Sequence, residues 1–344
     1  MKNLSEIVEY AKSKGMTKDS RILNVTHFDL DGVVSVINLL NFFKKENVFY
    51  VQKSYHNVNE FFRDVLFKGN CSFRNPDFVI ISDLSVEEEV VQECKDHGIE
   101  LLILDHHQTA YDLNKYVNCH VDDTESKSGA EVVIDFLKEM GMESPYMEAL
   151  DKLNYYATMF DLHLCATPEH RKFDIEGVKK SIPEMLNILF FKDWDKDDFI
   201  AKWLKGWRMF TKEELGVIKD DQRQANAHLK HVQETGNVVP LAEDKVMVLT
   251  EKHVVSISDH YIDNKGMNLV LIYNPQKQKM SGRVHENSKI NIGKIFELLH
   301  EKKDYVTNGG GHEKAGGTSI TANSHLQEFV KAIVTLAEYY ERNK

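Results

Sequence analysis

Seven side chains able to bind a cation or carry a proton stand in three short runs: His27-Phe28-Asp29-Leu30-Asp31-Gly32, an isolated Asp83, and Asp105-His106-His107. Each run follows an apolar stretch that reads as a buried β-strand: residues 21–26 (RILNVT), 77–82 (DFVIIS) and 99–104 (IELLIL). In an open parallel sheet, ligands bind beyond the carboxyl ends of the strands. Three strands would therefore bring acid and imidazole groups to one edge. Carboxylates gathered without a cation raise one another's pKa strongly, so the economical reading is a metal site, with two ions because one cannot use so many donors. Oxygen and imidazole donors without thiolate suit Mn²⁺, Mg²⁺, Fe²⁺ or Co²⁺ better than structural zinc. Alternation along His27, Asp29 and Asp31 can aim three side chains at one pocket, and Gly32 lets the chain turn closely into the next helix. Asp83, arriving alone from another strand, is placed to bridge the two ions. A helix-capping aspartate would explain the first run by itself, but not three runs on three strand ends.

These strands belong to a larger alternation. A further strand is expected at 47–51, with helical patterns at 33–45, 58–67 and 86–97. Continuous Val/Ile/Leu runs between helices are the mark of a parallel α/β sheet covered on both faces. Helices are expected at 129–140 and 146–160. The segment 193–210 holds Trp194, Trp203 and Trp207, read as helix core, and 213–235 reads as an exposed helix linking two domains. Strand signals resume at 245–249, 254–257, 269–273 and 279–284. A helix at 292–301, a glycine-rich turn at 308–317 and a last helix at 325–341 complete a second, smaller α/β domain. The expected division is 1–190 for a catalytic domain with a doubly wound parallel sheet, 191–235 for a helical linker and 236–344 for a substrate-binding domain.

The segments THFDLDG, ISDLS and LDHH, with NGGGHEKAGG much later, resemble the DHH phosphoesterase superfamily with its DHH-associated C-terminal domain. The spacing His-x-Asp-x-Asp-Gly is most similar to the nanoRNases (oligoribonucleases) of the B type. The resemblance implies a hydrolase with two divalent ions, Mn²⁺ first with Mg²⁺ or Co²⁺ as alternatives, and a site in the cleft between its domains. His27, Asp29 and Asp83 would hold one ion; Asp31, Asp83, His106 and a further aspartate would hold the second. Asp161 is the choice for that aspartate, with Asp151 and Asp174 as rivals. Asp105 would orient His106, and His107 would face the scissile phosphate. Gly309, Gly310, Gly311 and His312 would cradle a substrate phosphate, and Arg283, in Ser281-Gly282-Arg283, would grip a phosphate or terminal nucleotide. His285 is a further candidate contact. The implied activity is hydrolysis of short oligonucleotides to mononucleotides by metal-activated water. Alternatives are a cyclic-dinucleotide or nucleoside-bisphosphate phosphohydrolase, a single-stranded DNA exonuclease of the RecJ kind, and a noncatalytic nucleotide sensor.

Composition sets the outer limits. The chain has 344 residues with 43 Lys plus Arg against 54 Asp plus Glu, a formal net charge of −11. The acid is concentrated before residue 236, where the net charge is −12; residues 236–344 sum to +1. Long duplex DNA needs a large basic footprint, so the expected partner is a short single strand of RNA or DNA, whose few phosphates need few basic contacts. No run reaches the roughly 18 apolar residues of a membrane span, and residues 1–16 carry no apolar core of a signal peptide. Four cysteines without a CxxC pair argue against thiolate metal sites and disulfides and for a reducing cytoplasm. The sequence leaves a homodimer open.

Overall fold

The computed structural model describes residues 4–73, 75–124, 126–166, 173–175, 178–193, 195–235, 237–250 and 255–343. Strands β1 (Ile22–Thr26), β2 (Val48–Gln52), β3 (Phe78–Ser82), β4 (Leu101–Asp105) and β5 (Cys119–Val121) form one wholly parallel sheet in the order β2-β1-β3-β4-β5. Every residue of β1, β3 and β4 is buried, as unbroken apolar strands covered on both faces must be. The edge strand β2 is only partly buried. Helices α1 (Leu4–Ser13), α2 (Leu30–Phe42), α3 (Val58–Glu60), α4 (Glu88–Asp96), α5 (Gly129–Glu139) and α6 (Met147–Asp161) accompany this sheet. A π-helical run, Phe61–Leu66, extends α3. The strand order reverses between β1 and β3, and such switch points are where open α/β sheets bind ligands.

After α6 come the short hairpin β6 (Phe173–Ile175) and β7 (Val178–Lys180), then α7 (Ile182–Lys192), α8 (Lys196–Trp203) and the long α9 (Lys212–Glu234). Trp203 is fully buried and stacks on Trp207, their ring centroids 5.5 Å apart, in keeping with a core role; Trp194 lies outside the described residues. The chain divides into two compact units, with the boundary between Leu215 and Gly216, inside α9.

The second unit is built on a six-stranded mixed sheet of β8 (Val238–Ala242), β9 (Lys245–Leu249), β10 (Leu269–Asn274), β11 (Lys279–Val284), β12 (Val306–Gly311) and β13 (Ala315–Ile320). Its order is β12-β13-β11-β10-β9-β8. Helices α10 (Val255–Asp259), α11 (Ile292–Lys302) and α12 (Leu326–Asn343) complete it. One core, around Phe296, Phe329 and Tyr273, and another, around Val232, Val248 and Ile272, belong to this unit.

Two expectations are corrected here. Residues 255–257 of the strand expected at 254–257 are helical, and Val254 lies outside the described residues. The cause is topological: β9 and β10 pair in parallel, so the chain between them must cross over, which a hairpin cannot do. The glycine-rich 308–317 is not a free turn but mostly strand, the pair β12 and β13 with Gly309 opposite Thr318 and Gly311 opposite Gly316. Among the described residues no helix is long and apolar enough to cross a membrane, and the four cysteines form no disulfide.

Candidate metal centre

His27 begins the turn that leaves β1, and its Nδ1 lies 2.5 Å from Asp29 Oδ2. Asp29 is also the N-cap of α2: the Gly32 amide donates to its Oδ1 at 3.0 Å. The cap thus uses Oδ1, and Oδ2 faces His27. Burial pushes the Asp29 carboxyl up, but the His27 contact and charge and the Gly32 amide hold it well below the usual carboxylate range.

Asp31, buried in the first turn of α2, points at the start of α5, where the Ala130 amide donates to its oxygens at 3.1 and 3.3 Å. Burial and the neighbouring Asp161 charge raise its carboxyl to about 7. Asp83 ends β3 at φ +52°, a left-handed conformation that aspartate tolerates better than most residues. It is 1 % exposed, and its carboxyl is driven upward by burial and by Asp29, Asp31 and Asp161. Its Oδ2 is buried with no hydrogen-bond partner. A carboxylate oxygen in that condition is costly unless a cation neutralises it.

From β4, His106 places Nε2 3.3 Å from Asp83 Oδ1 and 3.5 Å from Asp161 Oδ2. Burial and the adjacent His107 lower its pKa to about 4, so it is a neutral imidazole near pH 7, the form that binds metals. Burial opposes charge on His107, yet Asp105, which accepts its Nδ1 proton at 2.8 Å, lifts it to about 9 with help from Asp161 and Asp29. The Asp105 carboxyl in turn stays below the usual range, despite its burial, because of His107, His106 and the Ser85 hydroxyl that donates to it. The family resemblance puts Asp105 behind His106; its side-chain bonds go instead to His107 and Ser85, and along an extended chain it is the residue two positions on, not the next one, that shares its face.

Two sets of donor atoms emerge, each with its members within 4.8 Å of one another: His27, Asp29 and Asp83 form one, and Asp31, His106 and Asp161 the other. Asp83 also lies within that distance of Asp105, His106 and His107. Asp161, at the end of α6, is therefore beside the other donors. Its rival Asp151 pairs with Lys138 at 2.7 Å, and the side chain of Asp174 lies outside the described residues. The donor chemistry and the unpartnered Asp83 oxygen fit divalent cations.

The motifs assign no role to Ser85, the last residue of ISDLS, and do not include Gly129 or Tyr55. Gly129 opens α5 where a Cβ would stand 2.5 Å from the Asp83 Cβ and 3.0 Å from Asp31 Oδ2. A glycine directly after the N-cap Ser128, where helix formation does not call for one, was the available signal. Tyr55 follows β2 and sets its ring 5.4 Å from that of His107 and 5.9 Å from that of His27.

In the second unit, Arg283 lies on β11 opposite Val270 and Ala315. Burial lowers its guanidinium to about 10, with Asp259 opposing. Glycines 309 and 311 are demanded by packing: a Cβ on Gly309 would meet the Phe296 carbonyl of α11 at 2.3 Å, and one on Gly311, at φ +133°, would meet the Ala315 carbonyl at 2.6 Å. Gly310 has open space where a Cβ would go. His312 sits in the β12–β13 connection, its carbonyl accepting from the Gly293 amide at 3.2 Å. His285 is occupied locally, Nδ1 accepting from the Asn287 amide.

A parallel sheet that gathers carboxylates and imidazoles at its switch point, followed by a mixed-sheet unit with a glycine-rich hairpin, defines a class of two-part α/β phosphoesterases. The chain belongs to the DHH family: residues 21–167 match the model "DHH family, N-terminal domain" and residues 244–338 match the "DHHA1 domain". It is similar to the oligoribonuclease NrnB of Bacillus subtilis (strain 168), 27 % identical over 307 residues that span 86 % of this chain and 72 % of that protein. Among solved structures it resembles the DHH domain of a protein described as belonging to a family of ribosomal proteins, with a TM-score of 0.66, 13 % identity, and coverage of 97 % of this chain and 92 % of that one. It also resembles RecJ from Thermus thermophilus in complex with Mn²⁺, with a TM-score of 0.61 and 15 % identity, covering 99 % of this chain and 55 % of RecJ.

Proposed function

We propose that this protein is a metal-dependent phosphodiesterase that degrades short oligonucleotides to mononucleotides. The observation that carries this reading is the pair of donor sets around Asp83, which has a buried and unpartnered oxygen, beside the cationic His107. The similarity to an oligoribonuclease supports the substrate class. His27, Asp29 and Asp83 would hold one divalent ion, and Asp31, Asp83, His106 and Asp161 the second, with Mn²⁺ the first choice and Mg²⁺ or Co²⁺ alternatives. Ions so bound lower the pKa of water and neutralise a phosphodiester.

The chain's own groups account for the rest. His107, its Nδ1 engaged by Asp105, is assigned to stabilise the phosphate and to pass a proton from Nε2 to the leaving oxygen. Asp105 keeps that imidazole charged and oriented. Ser85 and the helix-capping amides fix the carboxylates before substrate arrives, the preorganisation on which electrostatic catalysis depends. In the second unit, Arg283, Gly309, Gly310, Gly311 and His312 are assigned to hold the end of the substrate. In this reading residues 1–190 are catalytic, 191–235 link, and 236–344 bind substrate.

Incubation of the purified protein and Mn²⁺ with labelled dinucleotides, longer RNA, single-stranded DNA and cyclic dinucleotides tests the proposal. The linear dinucleotide is expected to be cut fastest. Asp83→Ala should lower the rate about 100-fold or more, the scale on which lost metal-site residues act. Absence of hydrolysis with every substrate in the metal-loaded protein would overturn it.

A further inference from the structure

A cavity of about 360 Å³ opens beside the metal centre, within the first unit, and has no part in the scheme above. Its size falls in the range of small-molecule sites, roughly 300–1,000 Å³. The loops beyond β2, β3 and β4 supply its walls, through Tyr55, through Ser85 with Glu87 and Glu88, and through Thr109 and Asp112. Two of these residues connect it directly to the centre. Tyr55 sets its ring edge-on to His107, and Ser85 donates to the carboxylate that holds His107. A phosphate lying at His107 would thus have its neighbouring group at the mouth of the cavity.

The lining decides which group can enter. Among the described residues that line the cavity there is no lysine or arginine, whereas three carboxylates face it. Two of them are already paired, Glu87 with Arg63 at 3.0 Å and Glu88 with Lys115 and the Tyr116 hydroxyl, which leaves little positive charge to offer an anion. A phosphate would need a cation that the lining does not provide, Arg63 and Lys115 being held by Glu87 and Glu88. An uncharged nucleoside would not: its amino and hydroxyl groups are donors that carboxylates and the Thr109 hydroxyl accept. Tyr55, 40 % exposed, offers a flat aromatic face of the kind on which unpaired bases stack.

Resting on the phosphodiesterase reading, we propose that this cavity is a nucleoside subsite, which receives the base and sugar adjoining the scissile phosphate, with the base against Tyr55. It gives the centre a means of preferring nucleotide diesters over other phosphodiesters without any added positive charge.

The test compares a dinucleotide with two versions that carry a tetrahydrofuran abasic residue at one or the other position, each with the Mn²⁺-loaded protein. Removal of one of the two bases is expected to lower kcat/KM at least tenfold, and removal of the other much less. In the Thr109→Trp protein, where an indole fills the cavity, that ratio should fall to within twofold of one. Thr109→Arg serves as the second variant, and circular dichroism checks the fold of both. A ratio below twofold for both abasic substrates in the unmodified protein would overturn the subsite and leave the phosphodiesterase intact. So would a ratio unchanged in both folded variants. Failure to cut any of the three substrates would instead remove the phosphodiesterase reading, and the subsite with it.

Discussion

Gly129 has no side chain to donate, yet it controls how closely Asp31 and Asp83 can approach. A methyl group there would overlap the Asp83 Cβ at 2.5 Å, and Asp83 is held by its backbone rather than by a flexible stem. Overpacking of this kind costs about 1–3 kcal/mol, and relief would come by prising α5 from β3. Gly129→Ala should therefore lower the melting temperature and weaken Mn²⁺ binding measured by titration calorimetry; unchanged affinity would show that the centre tolerates the shift. Asp105 gives a second prediction at the same scale. It stabilises the His107 imidazolium, so Asp105→Asn lets that group lose its proton at lower pH. If protonated His107 is required, the alkaline limb of the pH–rate profile should move toward acid relative to the unmodified protein, and a limb that stays in place removes His107 as the acid. In the sequence, the donors themselves were legible, because three strands each ended in acid or imidazole. The partner of Asp105 was hidden by the family pattern, which sets it behind His106, although alternation along an extended chain favours His107.

Helices α2 and α6 bring Asp31 and Asp161 to the second donor set, and α5 supplies the Ala130 amide that holds Asp31. A buried polar knot locks them together. Asn38 of α2 donates to Asn154 Oδ1 of α6 at 2.8 Å and to the Ala130 carbonyl of α5 at 3.1 Å, and Asn154 returns a bond to Asn38 Oδ1 at 3.0 Å. Replacing one partner strands the other, which costs about 1–3 kcal/mol. Asn38→Leu and Asn154→Leu should each destabilise by that amount in urea, and the double variant by less than their sum; strict additivity would show that the knot is not a unit. Periodicity located α2, α5 and α6 to within a few residues, α2 being buried almost all round. It missed β8, whose Pro240 lies on an edge strand where the lost donor is tolerated. It also misassigned 255–257, because the parallel pairing of β9 with β10 is a fact of topology that a four-residue apolar pattern does not contain. The glycine run was visible, but the packing of α11 against it was not.

At the scale of the whole molecule, the centre is a store of unfavourable charge, and this fixes how stability must vary with pH. Asp31 and Asp161 are raised to about 7, and burial and its neighbours also hold Asp83 well above the usual carboxylate range. For a raised group the folded state binds more protons than the unfolded one between the two pKa values, so stability is lost as pH climbs from about 4, the ordinary carboxylate value, through the folded pKa. His107, raised to about 9, loses stability in the same direction between about 6.5 and 9. His106, lowered to about 4, opposes this only below about 6.5, and one histidine faces three carboxylates there. Asp29 and Asp105, held below the usual range, have finished contributing once the pH exceeds about 4. The sum points one way: the metal-free protein should melt at progressively lower temperature from pH 5 to pH 8. If these carboxylates hold Mn²⁺ in their deprotonated form, its stabilising shift should grow over the same interval. Melting curves with EDTA and with Mn²⁺ at pH 5, 6, 7 and 8 measure both trends, and Asp31→Asn, which removes one crowded charge, should flatten the EDTA series. A metal-free melting temperature that rises with pH, or a Mn²⁺ shift independent of pH, would mean that these carboxylates are not the groups a cation neutralises.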